Sequence, residues 1–111
     1  MPRQTELLKG TLDLLILRAL ELEARHGLGI SERIEQVTQG TFAVKPGSLF
    51  PALYRLEEQG LIDGEWTRSP AGRRAKAYRL TSAGKRRLAA EKKEWVRIAS
   101  AMGRMLEEQQ G

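Results

Sequence analysis

A chain of 111 residues, 41% of them hydrophobic and none of them cysteine, is one small domain, or one domain with an appendage. The missing cysteine excludes disulfides, thiolate metal sites and thiol redox sensing. The net charge of +5 is uneven: residues 45–87 hold ten Lys/Arg against four Asp/Glu, residues 1–44 five against six, and residues 88–111 four against four. Positive charge gathered beside an insertable helix is the footprint of a nucleic-acid reader. Asp13 and Arg18 interrupt the first apolar run, and no segment reaches the roughly 20 apolar residues of a bilayer span, so a cytoplasmic protein without signal peptide or membrane partner is expected.

In chain order, residues 11–23 place Leu12, Leu15, Ile16, Ala19 and Leu20 at helical spacing, with Thr11 as the expected N-cap. The glycines of ARHGLG (24–29) are expected to break this pattern. Ser31 then caps a second helix carrying Ile34 and Val37, which Gly40 stops. TFAV (41–44) is expected to be extended, as a candidate third strand. A third helix is expected from Gly47 or Ser48, with Pro51 in its first turn, Leu49, Leu53 and Leu56 as its buried stripe and Gly60 at its end. Ser48, Pro51 and Arg55 point away from that stripe, with Tyr54 on the flank. Two strands, 61–67 and 74–80, flank a turn at SPAG (69–72). Thr81 caps a last helix that runs to about Gln109. On it Leu88, Trp95 and Met102 repeat every seven residues, with Ile98, Met105 and Leu106 between. At 1.5 Å per residue that helix is roughly 40 Å long, more than a domain of this size covers, so a second copy of the chain is its expected partner.

The expected fold is therefore mainly α with a small β-hairpin: a winged helix-turn-helix over residues 1–80 and a dimerisation helix over residues 81–111. Lys45 and Arg55 on the third helix, and Arg68, Arg73, Arg74 and Lys76 at the hairpin, are the expected DNA-contacting cations. An arginine facing the major groove suits guanine, whereas cations at a hairpin tip suit phosphate. Leu12, Leu15, Leu88, Trp95, Ile98, Met102 and Met105 are assigned to the dimer interface. His26, the one histidine, has no cysteine or carboxylate cluster around it, so neither a metal nor a catalytic site is expected. No cofactor and no enzyme activity are read from the chain.

Four motifs in this order and spacing, LLKGTLDLLILRAL, HGLGISERIEQVTQG, KPGSLFPALYRLEEQGLI and RRAKAYRLTSAGKRRL, resemble the PadR family of transcriptional regulators, in particular its short type with a single C-terminal helix. The resemblance runs from about Leu7 to Met105. It implies that the GSLF segment opens a recognition helix with Ser48, Tyr54 and Arg55 toward the major groove, and that Arg73, Arg74 and Lys76 straddle the DNA backbone. It also implies a repressor acting on a pseudo-palindromic operator, and a planar apolar effector held between subunits near Trp95. The chain departs from the family pattern at Phe50 and Leu28, where tyrosine is usual. A winged-helix protein-interaction module and a non-specific architectural DNA binder are the alternative readings of the same residues.

Overall fold

The structure is a computed structural model that describes residues 9–68 and 70–108. Leu7 and Leu8 of the first motif, Ser69 of the expected turn and the expected helix end at Gln109 lie outside the described residues. The elements are α1 (Lys9–Ala19), β1 (Arg25–His26), α2 (Gly27–Val37), α3 (Pro46–Glu58), β2 (Ile62–Arg68), β3 (Arg74–Leu80) and α4 (Ser82–Glu107). The strands form one antiparallel sheet in the order β1-β3-β2.

The first helix is displaced from its expected span. Thr11 is its third residue rather than its cap, and it stops at Ala19 instead of Glu23. Arg25 supplies the stop: its Nε donates to the Ala19 carbonyl at 2.7 Å, capping the helix end with a cation. Leu20 stays buried although the helix has ended, which is why the apolar periodicity overran it.

The second helix starts at Gly27, so ARHGLG separates the helices only through Ala24, Arg25 and His26, its glycines belong to α2, and Ser31 lies inside the helix. Arg25 and His26 instead pair with Tyr78 and Ala77 as the third strand. Gly27 suits the position because a Cβ there would lie 2.9 Å from the Phe50 ring of α3. At the other end Gly40, at φ 79°, donates its N–H to the Glu35 carbonyl at 2.9 Å and stops the helix as expected. TFAV forms no strand. Thr38 Oγ1 accepts the Phe42 N–H at 3.1 Å and donates to the Ile34 carbonyl at 2.8 Å, which pins the segment as a loop.

The third helix begins at Pro46, one to two residues before the expected start, with extended Lys45 ahead of it. Pro46 holds the first position, where no N–H is needed, whereas Pro51 falls beyond the first turn and removes one helical hydrogen bond. Leu49, Leu53 and Leu56 are fully buried as expected, each worth about 1.5–3 kcal/mol of burial. They meet Ile16 and Leu17 of α1, Ile30 of α2 and Ile62 of β2 in one core.

The fourth helix opens as the sequence indicates. Thr81 Oγ1 accepts the Gly84 N–H at 3.0 Å and donates to the Gly60 carbonyl at 2.7 Å. Gly84 is pressed on the chain between α3 and β2, where a Cβ would run into the Leu61 carbonyl oxygen. Leu88 packs into the core, and Lys92 reaches Glu21 beyond α1 at 3.0 Å. Past that point α4 leaves the rest of the chain and gives the described molecule its 62 Å long axis.

Two residues assigned to the dimer interface are thereby reassigned. Leu12, 7% exposed, and Leu88, 2% exposed, belong to the protomer's own core.

Candidate nucleic-acid interface

The exposed side of α3 carries Ser48 and Tyr54, and Lys45 stands exposed at its N-terminal end. Ser48 is one turn inside the helix, where its N–H donates to the Lys45 carbonyl at 3.0 Å; its hydroxyl is not the cap. Arg55 does not share this outward face. Its guanidinium pairs with Asp13 of α1, with about a quarter of the side chain exposed, and its Nε is buried with no partner among the described residues. The pair crosses to α1 instead of joining Arg55 to Glu58, three residues along α3. Arg55 joins α3 to α1, and a base contact would require breaking that pair.

The two long strands form a regular wing in the register Ile62–Leu80 to Arg68–Arg74. Alternation puts Gly64, Trp66, Arg68, Arg74, Lys76 and Tyr78 on one face, and that face turns toward α2 and α3. Lys76 is not a free phosphate ligand. Its stem crosses bare Gly64, where a Cβ would be only 3.1 Å from the Tyr78 ring, and its Nζ reaches Glu57 Oε1 of α3 at 2.9 Å. The bond to Glu57 raises the Lys76 pKa above its ordinary value, and burial raises that of Tyr78. Both shifts favour the states present at neutral pH, a charged lysine and a neutral tyrosine.

Nearer the tip, the Arg74 guanidinium lies 4.9 Å from the centroid of the Trp66 ring, a cation–π distance. Arg68 folds back to donate to the Gly72 carbonyl at 2.9 Å and braces the turn, so it is a tip clamp before it is a phosphate ligand. Arg73 is exposed and makes no ion pair among the described residues. Of the expected cations, then, Lys45, Arg73 and Arg74 are presented outward, while Arg55, Arg68 and Lys76 hold the head together.

Between wing and helices runs an open groove of about 770 Å³. Phe50, Tyr54, Trp66 and Tyr78, four of the chain's six aromatic residues, line it. Trp66 and Glu57 were not singled out by sequence reasoning, and Phe50 and Asp13 entered it only as a departure from the family pattern and as a break in an apolar run. The alternation of RAKAY opposite GEW was the available signal for the wing face; nothing local could pair Asp13 with Arg55, 42 residues away.

The apolar stripe of α4 is bare. Trp95 is 42% and Met102 55% exposed, with Ile98, Met105 and Leu106 also exposed. A second partly apolar surface lies between α1 and α2, a depression of about 140 Å³ lined by Leu15, Leu22, Ile34 and Val37 together with Arg18, Arg25 and Arg33. Among the described residues no group of three His, Cys, Asp or Glu could hold a metal, and no helix is long and apolar enough to cross a membrane.

Comparison with known proteins places this architecture. The sequence model of the Transcriptional regulator PadR-like family matches residues 16–90. An uncharacterized protein of Lysinibacillus sphaericus is 31% identical over 104 residues, 94% of this chain and 95% of its own. A PadR family transcription regulator of Clostridium difficile superposes with a TM-score of 0.74 at 34% identity, over 86% of this chain and 97% of that one. A PadR-like transcriptional regulator of Bacillus cereus superposes with a TM-score of 0.81 at 27% identity, over 95% of this chain and all of that one, 100%.

Proposed function

This chain belongs to the Transcriptional regulator PadR-like family, whose members regulate transcription by binding DNA and are not enzymes, and from that premise we propose that it is a sequence-specific, dimeric repressor. The observation that carries this reading is the wing fixed beside α3 by the Lys76–Glu57 bond. It sets the outward cations Arg73 and Arg74 on the same groove as the exposed Tyr54. In this reading Ser48 and Tyr54 meet base edges or sugars in the major groove, and Lys45, Arg73 and Arg74 meet phosphates.

One such head covers few base pairs, so the reading needs two. The exposed stripe of Trp95, Ile98, Met102 and Met105 buries against a second copy, and the depression at Leu15, Leu22 and Val37 is the matching surface on the partner's first two helices. Two heads then meet half-sites about one helical turn apart. A planar apolar effector seated beside Trp95 between subunits would change the spacing of the heads and release the operator. The working place of such a regulator is the bacterial cytoplasm, at the nucleoid.

Gel shift with the DNA upstream of its own gene, titrated with salt, tests the reading. Selective binding with a steep salt dependence is expected. Equal affinity for random duplex at every salt concentration would indicate an architectural binder, and no binding to either a protein-interaction module.

A further inference from the structure

We propose that the groove between the wing and the α2–α3 pair is a binding site for a purine nucleoside phosphate. Its walls are flat rings, Phe50 and Tyr54 from α3 and Trp66 and Tyr78 from the wing, so the space suits a stacked heterocycle. Its volume of about 770 Å³ is that of a small-molecule site, and a one-ring acid would leave most of it to water.

Two guanidinium groups give the groove a positive end. Arg73 and Arg74 line it, with Arg74 held over Trp66. The N-terminus of α2 opens into it through His26, Gly27, Leu28 and Gly29, and this helix end has no side-chain cap. Gly27 is buried against the Phe50 ring, so this helix end forms part of the groove wall and contributes only the positive end of its dipole. Two guanidinium forks match the doubly charged, three-oxygen phosphate group better than a carboxylate.

The remaining polar atoms suit a base and a sugar. Glu57 is neutralised by Lys76, which leaves Glu32 as the carboxylate able to accept from ribose hydroxyls or a ring amino group. A nucleotide seated in the groove would occupy Tyr54, Arg73 and Arg74, and so compete with DNA. Only this competition rests on the proposed DNA reading; the site itself does not.

The test uses the whole nitrogen-labelled chain and its two indole N–H resonances, assigned with Trp66→Phe. Adenosine 5′-monophosphate is expected to shift the Trp66 signal and leave that of Trp95 in place. Adenosine, lacking phosphate, and Arg73→Ala with Arg74→Ala are each expected to weaken binding by about tenfold or more. An unmoved Trp66 signal at about 1 mM nucleotide would overturn the proposal. So would equal affinity for adenosine, a shift confined to Trp95, or a response to benzoate without one to the nucleotide. No DNA is present in this titration, so its outcome is independent of whether the chain selects an operator. In a separate arm, the nucleotide is expected to raise the Kd for duplex.

Discussion

The helices α3 and α4 both carry a continuous apolar stripe, yet the two stripes end differently. On α3, Leu49, Leu53 and Leu56 are covered by the protomer's own helices and sheet, and the opposite face is left for a partner. On α4, Leu88 is covered, whereas Trp95, Ile98 and Met102 face solvent. Periodicity marks a helix and its sticky face; it does not say whose atoms cover that face. The position along the chain decides it. The core of this small head is closed by Leu88, and the turns of α4 after Lys92 carry apolar side chains that the described residues of the protomer leave exposed.

The difference can be broken most directly at the tail. Ile98→Glu with Met102→Glu is expected to raise the dimer dissociation constant by more than about a thousandfold, roughly 4 kcal/mol, in sedimentation equilibrium, while urea unfolding of the head changes little. An unchanged association state would remove α4 from the interface. Head and tail are joined at Gly84, where added volume meets backbone rather than a yielding side chain. Gly84→Ala is expected to cost about 2–3 kcal/mol of unfolding free energy.

Within the head, Arg55→Ala separates two roles for one residue. It strands Asp13 and is expected to lower stability by about 1–3 kcal/mol, with base preference following only through stability. Unaltered stability with relaxed base preference would restore Arg55 as a reader. Arg73→Ala with Arg74→Ala is expected to leave stability alone, weaken specific and random duplex alike, and flatten the logarithmic salt dependence by roughly 2.

The smallest effect concerns the bond that holds the wing. Lys76→Met is expected to cost under about 1 kcal/mol at neutral pH, since the pair is about a quarter exposed. The Lys76 pKa is raised in the fold, so its contribution is complete below the ordinary value of 10.5 and is lost as pH climbs through the raised one. Tyr78, raised by burial from an ordinary 10.0, acts in the same direction. The indole signal of Trp66 is therefore expected to hold steady to about pH 10 and move above it, with a smaller alkaline change in Lys76→Met.

Much of this was legible in the chain. The buried leucines of α3, the Thr81 cap, the Gly40 stop and both wing strands follow from local periodicity and turn chemistry. What escaped was set at a distance. Arg25 ended α1 from six residues away, Thr38 drew TFAV out of the sheet, and Asp13 took Arg55 from the groove-facing set. A charge count located the basic unit in residues 45–87 but could not separate cations that brace the head from those it displays. That division depends on Glu57 and Asp13, acidic residues that looked like background.

The separation of a DNA-reading head from a pairing tail is tested most directly by fluorescence anisotropy, with a footprinted operator and a duplex holding one half-site. The intact chain is expected to bind the full operator far more tightly than the half-site, and Ile98→Glu with Met102→Glu to bind both equally, at the half-site affinity. If that variant retains the full-operator affinity of the intact chain, α4 is not what joins two heads on DNA.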